Sequence, residues 1–339
     1  MDGGVSRFIR LKKMAAVAMI FCLFSALFAS ILMISALAGT ETGEFCPTCP
    51  DWTDLEGWLK KKDAYEKAQM SGQQADSQNS EETAATNRID PAKSYALPGL
   101  ITSPAPSAFQ GDRVILDVRP GEDYLAGHIS GARNMYWKEL QKDGILDVAA
   151  AEDALGMAGV KKADHLLICS GSNQDEAFVF WALSYLGQNN ISLLDGGLSA
   201  AKEAGVSLVT NAVSPQQANY TASIVPWLLV TPDNLESRLS LANVRVLDAR
   251  DFSDYGMSRL GNESICLSLD KIYDNSRIKG ADILKDLFDR RLDPSSPVIV
   301  YGTPQAYSLF YSLRLMGYNA TLLDGDWWKD TKWAISNVK

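Results

Sequence analysis

The fold is decided by residues 165–197, HLLICSGSNQDEAFVFWALSYLGQNNISLLDGG. The apolar run from Leu166 to Cys169 predicts a buried strand, which a short polar turn follows. The apolar-rich segment from Ala177 to Leu186 is long enough for about three helical turns, and Gly187 stands where a glycine ends a helix. Ile191 to Leu194 predicts a second strand. Strand, tight turn, helix and strand in this order indicate a parallel α/β sheet.

The turn between Cys169 and the helix is the first place to look for chemistry. Successive backbone N–H groups at a helix N-terminus point towards one spot and attract an anion. A thiol at that spot would have a lowered pKa, which favours the nucleophilic thiolate. The residue at the mouth of the turn therefore decides what the turn can do.

Upstream motifs add a family resemblance. Residues 114–135 read VILDVRPGEDYLAGHISGARNM, in which a strand ends in Asp117-Val-Arg119 and a Gly-His-Ile-x-Gly-Ala segment follows. These motifs precede the strand–turn–helix unit and its closing Asp195-Gly-Gly. The set, in this order, resembles the rhodanese (sulfurtransferase) family and implies a rhodanese-like domain over residues 98–210.

A second, weaker copy follows the first. VRVLDARDFSDY at residues 244–255 matches the opening of the first copy, and residues 298–328 match its strand, turn, helix and Asp-Gly closure. The resemblance implies tandem rhodanese-like domains, with a degenerate second domain over residues 226–339. The expected fold class is α/β, with parallel sheets flanked by helices. Thr231 and Pro232 predict the cap and first residue of the opening helix of the second domain.

Composition narrows the function classes. The chain has 339 residues, a formal net charge of −9, five cysteines and two histidines. The acidic balance argues against nucleic-acid binding, because nucleic acid needs a basic face. Five cysteines are too few for a disulfide scaffold, and two histidines exclude a histidine-rich metal site. We expect no cofactor and no metal.

The N-terminal segment predicts a membrane location. Residues 1–13 carry four basic side chains, and residues 14–38 are uncharged and strongly apolar. At about 20 residues per bilayer crossing, residues 14–38 are long enough for a transmembrane anchor. The basic flank would put the N-terminus in the cytoplasm and the domains outside it. The alternative is a cleaved signal sequence ending in Ala36-Leu37-Ala38, which would leave the domains periplasmic or secreted.

Two segments separate the anchor from the first domain. Residues 39–62 contain Cys46-Pro-Thr-Cys49 and a short amphipathic helix. Cys46 and Cys49 are candidates for a local disulfide, for a dithiol in redox or persulfide exchange, or for half of a metal site. Residues 63–97 are poor in apolar side chains and predict a flexible linker.

Two residues compete for the nucleophile position that the resemblance implies. Rhodaneses carry sulfur as a persulfide on a cysteine at the end of the central strand, and counting back from Gly187 by the family's spacing gives Ser170. Alignment of the two copies also puts Gly302, a degenerate second site, opposite Ser170. Cys169 would then face the packing, because a one-residue slip turns a strand side chain to the opposite face. A loop longer by one residue would instead make Cys169 the persulfide nucleophile.

The loop that would bind the substrate anion has the wrong charge for thiosulfate. It comprises Gly171, Ser172, Asn173, Gln174 and Asp175 and contains no Lys or Arg. Active members of the family place a cation where Asp175 falls. A carboxylate about 5 Å from a bound anion would cost about 3 kcal/mol at an effective dielectric constant of about 20. The loop therefore disfavours thiosulfate, although not a neutral thiol or persulfide donor.

Three functions remain open from the sequence. The leading one is an extracytoplasmic rhodanese-like module with degenerate sites, which acts by binding or assembly with an envelope protein. The second is an active sulfurtransferase that uses Cys169 with a sulfur donor and acceptor. The third is a thiol–disulfide redox protein centred on Cys46 and Cys49. The tryptophans of residues 327–333 predict domain closure if they are buried and a partner site if they are exposed.

Overall fold

The computed structural model describes residues 95–336, together with Lys60 and Ala64. Residues 95–336 all belong to one compact unit. The predicted anchor and the Cys46–Cys49 pair lie outside the described residues. Among the residues that are described, no helix is both long enough and apolar enough to cross a bilayer.

The first half of the unit is built on one parallel sheet. In chain order it contains β1 (Ile101–Thr102), β2 (Val114–Asp117), α1 (Gly121–Ala126), β3 (His128–Ile129), β4 (Arg133–Asn134), β5 (Gln141–Lys142), β6 (Ile145–Leu146), α2 (Val148–Met157), β7 (Leu166–Cys169), α3 (Asn173–Tyr185), β8 (Ile191–Leu194), α4 (Gly197–Glu203) and β9 (Leu208–Val209). The sheet has the strand order β1-β8-β7-β2-β4, all parallel. The central strand is β7, so the turn after it opens at the edge where parallel sheets hold ligands.

The second half repeats this plan. In chain order it contains β10 (Leu229–Val230), α5 (Leu235–Leu239), β11 (Arg245–Asp248), α6 (Phe252–Met257), β12 (Ser258–Leu260), β13 (Ile265–Cys266), β14 (Tyr273–Asp274), β15 (Arg277–Ile278), α7 (Ala281–Asp289), β16 (Val298–Tyr301), α8 (Gln305–Leu315), β17 (Ala320–Leu323) and β18 (Ala334–Ser336). Its parallel sheet has the order β10-β17-β16-β11-β13, which matches the first sheet strand for strand. The predicted α/β class is confirmed.

The central strand β7 separates two cores. Leu166 and Ile168 face the larger core, which α2 and α3 also line, whereas Leu167 and Cys169 face a smaller core on the other side of the sheet. Side chains alternate along a strand. Cys169 therefore follows Leu167 away from the helix that begins beyond the turn.

The larger core extends across both halves, because α3 packs against α8. Phe180 meets Tyr311 edge to face with ring centroids 5.0 Å apart, and Phe178 meets Tyr307 at 5.1 Å. Every residue of α3 from 177 to 183 is buried, as expected for a helix that is apolar all round. The two halves are therefore expected to unfold together.

The packed unit begins before the predicted domain boundary at residue 98. The predicted linker ends with residues 95–97, yet Tyr95 is buried and its hydroxyl donates a 2.8 Å hydrogen bond to the Lys279 carbonyl. The Leu97 N–H donates to the Leu315 carbonyl at the end of α8. These three residues thus belong to the packing of the second half.

The helix predicted to start at Thr231 and Pro232 begins later, at Leu235, so this prediction is wrong. The Asn234 side chain accepts a 2.9 Å hydrogen bond from the Thr231 N–H. The Thr231 carbonyl accepts from the N–H groups of Asn234 and Leu235. These bonds close a turn over residues 231–234, and the helix starts only after it.

Candidate functional site

The structure places Cys169 in the smaller core and not in the turn. Its side chain has no exposed surface, and its Sγ lies 3.5 Å from the Leu116 carbonyl oxygen. Burial raises the pKa of Cys169 well above its ordinary value, and the charges of Asp117 and Glu176 raise this pKa further. The neutral thiol is therefore the favoured form, whereas sulfur transfer needs a thiolate that a donor can reach.

Ser170 is the first residue of the turn and is held in place by hydrogen bonds. Its N–H donates a 2.6 Å bond to Glu176 Oε1, and its carbonyl accepts a 3.0 Å bond from the Leu198 N–H. Its Oγ accepts from the Ser172 N–H at 3.3 Å. With only 1% of its surface exposed, the Ser170 hydroxyl is part of the turn's own bonding.

Glu176 is the site residue that the sequence reasoning missed. The Glu176 carboxyl oxygen accepts a hydrogen bond from the Ser170 N–H. An anion bound in the turn would need this same donor. Burial raises the pKa of Glu176 well above its usual value, although the Ser170 N–H lowers it. The signal that would have identified Glu176 is its place one turn inside α3, at the start of the fully buried segment.

The rest of the predicted substrate loop opens onto a cleft of about 570 Å³, named the first cleft. Residues 171–174 line one side, and the other side is lined by residues of the second half around β14, which are Leu269, Asp270, Tyr273, Asn275 and Ser276. None of the residues that line the first cleft is basic, and Asp270 is among them. Burial raises the pKa of the neighbouring Asp175, while the charge of Lys138 lowers it. The first cleft thus presents amides, hydroxyls and the Asp270 carboxylate, which pairs with Lys271 at 2.6 Å.

A buried ion pair fixes the end of the second strand in each sheet. The Arg119 guanidinium binds Asp117 through two bonds, of 2.9 Å from Nε and 2.6 Å from Nη2, and also reaches a backbone carbonyl. Arg250 makes the same pair of bonds to Asp248 at 2.9 and 2.5 Å. Both arginines therefore position the strand ends through bidentate bonds of the strong type.

The second turn has no room for a side chain at the position that matches Ser170. Gly302 follows the buried Tyr301 as Ser170 follows Cys169, and its φ is +89°. A Cβ built on Gly302 would lie 2.6 Å from Arg250 Cγ and 3.0 Å from Asp248 Oδ1. The ion pair that fixes the strand end therefore fills the space that a nucleophile would occupy.

Besides Cys169, the described residues 95–336 contain Cys266. Cys266, at the end of β13, is partly exposed and has its Sγ 3.5 Å from the Arg250 carbonyl oxygen. Cys46 and Cys49 lie outside the described residues, so their role stays a prediction. Within residues 95–336, no group of three or more His, Cys, Asp or Glu side chains is placed to hold a metal ion.

Comparison with known proteins identifies the family of the first half. Residues 107–204 match the family of the rhodanese-like domain. The chain carries a rhodanese-like domain. This match supports the rhodanese-like domain predicted from the motifs at residues 114–135 and 165–197. The rhodanese-like match lies within the half that contains Cys169 and Ser170.

Proteins that are similar to this chain include named sulfurtransferases. A putative thiosulfate sulfurtransferase of Haloferax volcanii is 24% identical over 240 residues, which are 62% of this chain and 82% of that protein. A thiosulfate sulfurtransferase of Pseudomonas aeruginosa is 26% identical over 163 residues, which are 46% of this chain and 60% of that protein. SseA of Escherichia coli, a 3-mercaptopyruvate sulfotransferase, has a solved structure with a similar fold. Its TM-score is 0.58 at 20% identity, over 67% of this chain and 98% of that one.

Proposed function

We propose that this chain is a tandem rhodanese-like protein that keeps the fold without a persulfide carrier in either turn, and that it acts by binding or assembly. One observation carries the proposal: the Cys169 thiol is buried in the smaller core, and the residue that follows it and begins the turn is Ser170. A serine hydroxyl does not form a persulfide. The first turn therefore lacks the group on which sulfur would be carried.

The electrostatics of the first turn support the same proposal. Glu176 already accepts the Ser170 N–H, and Asp175 stands where active members of the family place a cation. An incoming thiosulfate would find the Ser170 N–H already taken and would meet Asp175 instead of a cation, and an ionised carboxylate at about 5 Å costs about 3 kcal/mol. A partner that binds here is therefore expected to be neutral or cationic at the point of contact.

The second turn supports the proposal independently. Gly302 leaves no space for a side chain beside Arg250 and Asp248. The strand order that both sheets share motivates the tandem description, and the second copy would be degenerate for a steric reason. Neither turn then offers a thiol, although each retains the surrounding architecture.

Thiosulfate:cyanide sulfur transfer tests the proposal. We expect little or no activity from the unmodified protein and no change with Cys169→Ser. Ser170→Cys combined with Asp175→Arg should create activity that neither single change gives fully, because the thiolate and the substrate anion both need positive potential. The double variant with Cys169→Ser added is the control that assigns the activity to the new thiol.

A different result would establish the alternative function. If the unmodified protein transfers sulfur and Cys169→Ser abolishes the transfer, then Cys169 is the nucleophile and the protein is an active sulfurtransferase. The names of the Haloferax and Pseudomonas relatives favour that alternative. Activity that needs Cys46 and Cys49 and survives Cys169→Ser would favour the redox function.

We also propose that residues 14–38 anchor the protein in the cell membrane with both domains outside the cytoplasm. The basic residues 1–13 and the uncharged apolar run that follows them motivate this. Protease added to intact spheroplasts should remove the domains and leave a small membrane fragment. Domains that resist protease until the membrane is opened would contradict the proposed orientation.

A further inference from the structure

A second cleft, of about 650 Å³, lies at the carboxyl ends of β10, β16 and β17. Its floor is formed by residues that follow these strands, which are 231–232 after β10, 303–304 after β16 and Gly302, and 324–327 after β17. Its roof is formed by residues of the first half around β5 and β6. Its volume falls within the range of about 300–1,000 Å³ that is typical of small-molecule sites. It also lies where open parallel sheets hold their ligands.

Aromatic rings from both halves line the second cleft. They are Trp137, Trp181 and Tyr185 from the first half and Tyr307 and Trp327 from the second. Trp328 is fully buried next to them, whereas Trp327 is only partly buried. Of the tryptophans noted near the C-terminus, Trp327 thus contributes to a cleft.

The charges of the second cleft are all negative. None of its lining residues is Lys, Arg or His, whereas Asp324 and Asp326 are both present. Asp326 is exposed and pairs with Lys329 at 2.8 Å. Asp324 accepts a 2.6 Å hydrogen bond from the Tyr307 hydroxyl, and no ion pair among the described residues involves it. Asp324 is therefore a partly buried carboxylate that has no ion-pair partner within the described part of the chain.

A carboxylate without a cationic partner, placed among aromatic rings, favours a cationic ligand. The faces of Trp and Tyr rings attract a cation by up to about 2 kcal/mol when the cation is desolvated. A buried charge is costly until an opposite charge meets it. The Lys138 ammonium already lies 5.4 Å from the Trp137 ring centroid, so the charge of a ligand is expected beside Asp324 and not on the Trp137 ring.

We propose that the second cleft binds a small organic cation with an apolar body, such as a quaternary or protonated amine. The charge of this ligand lies beside Asp324, and its apolar part packs on the aromatic rings next to the residues around β5 and β6. Small inorganic anions such as thiosulfate are excluded by the same carboxylate. This site goes beyond the proposed function, because it depends on no group in the first turn.

A matched pair of probes tests the charge requirement on the unmodified full chain. Phenyltrimethylammonium carries the cation, and tert-butylbenzene has the same shape without the charge. Titrations followed by tryptophan fluorescence and by calorimetry should give an affinity about ten-fold higher for phenyltrimethylammonium, equivalent to about 1.4 kcal/mol. Equal affinities, or no binding of the cation, would overturn the proposal.

One carboxylate inside the second cleft and one outside it provide the matched variants. Asp324→Asn should lower the affinity for phenyltrimethylammonium about ten-fold and leave that for tert-butylbenzene unchanged, since only the charge is removed. Asp286→Asn, at an exposed carboxylate of α7 that pairs with Arg290 and does not line the second cleft, should leave both affinities unchanged. Equal losses in both variants would mean general surface attraction and would refute the site.

The comparison of the two probes uses the unmodified protein, so it does not depend on whether a variant folds. It also separates this proposal from the proposed function, because sulfur transfer and cation binding are measured on different clefts. Thiosulfate turnover together with selective cation binding would refute the first proposal and support the second. If the protein shows neither thiosulfate turnover nor selective cation binding, the first proposal is supported and the second is refuted.

Discussion

The steric closure of the second turn makes a quantitative prediction for Gly302→Ala. A non-glycine residue at a positive φ costs about 1–2 kcal/mol. The new Cβ would also lie 2.6 Å from Arg250 Cγ, with φ at +89°. Arg250 cannot move away easily, because its guanidinium binds Asp248 through two nitrogens. Overpacking of this kind costs about 1–3 kcal/mol, so the total loss of stability should be about 2–5 kcal/mol.

Gly131→Ala is the matched control for the backbone contribution. Gly131 has φ +80°, and a Cβ built on it would meet nothing within 4 Å. Its loss should be about 1–2 kcal/mol, from backbone strain alone. Free energies of unfolding from urea titrations, followed by far-UV circular dichroism, give both values. If Gly302→Ala loses no more than Gly131→Ala, Arg250 does not close the second turn and the steric argument is wrong.

Three further predictions concern the first half. Burial raises the pKa of Glu176 in the folded state, so stability is lost as the pH rises from the unfolded carboxyl's pKa of about 4.3 towards the folded one. Glu176→Gln should therefore gain stability relative to the unmodified protein over that rise, by up to about 1.4 kcal/mol per pH unit. Cys169 should resist iodoacetamide in the folded protein and react in urea, whereas Cys266 should react first, as peptide mass spectrometry would show. Phe180→Ala should destabilise the protein by about 3–5 kcal/mol, because it opens a cavity between α3 and α8, and calorimetry should still show the halves unfolding together.

Each of these three has a control and a contrary result. Glu263 is exposed, so Glu263→Gln should not change how stability depends on pH. If Glu176→Gln instead loses stability, and loses more as the pH rises, then an ionised Glu176 stabilises the fold. Fast labelling of Cys169 in the folded protein would place the thiol within reach of donors. Ile283 is 51% exposed in α7, so Ile283→Ala should cost little. Two separate transitions in the unmodified protein would contradict the shared core.

The local patterns of the sequence predicted local structure well. The run from 166 to 169 forms β7, and Gly187 ends α3 with φ +79°, because strand burial and glycine caps depend on adjacent residues. The alternation of side chains along β7 also explains why Cys169 follows Leu167 into the smaller core. The Thr231 helix start failed because the Asn234 side chain closes a turn that a capping pattern alone does not reveal.

The contacts between distant residues were beyond this kind of reasoning. Nothing in the first copy's pattern indicates that Phe180 meets Tyr311, or that Arg250 fills the space above Gly302. Glu176 resembles any acid at a helix N-terminus until the neighbouring fold buries it. The second cleft joins aromatic residues from both halves, and it exists only once α3 and α8 pack together.

That packing supplies a reason for both halves to be retained even if neither turn carries sulfur. The first cleft lies at the end of the first sheet and is covered by residues around β14 from the second half. The second cleft lies at the end of the second sheet and is covered by residues around β5 and β6 from the first half. Each half therefore completes the binding surface of the other. Loss of a nucleophile changes one residue at the mouth of a turn, whereas loss of either half would remove a wall from both clefts. A binding role thus requires the whole two-sheet unit, held together by the aromatic contacts between α3 and α8.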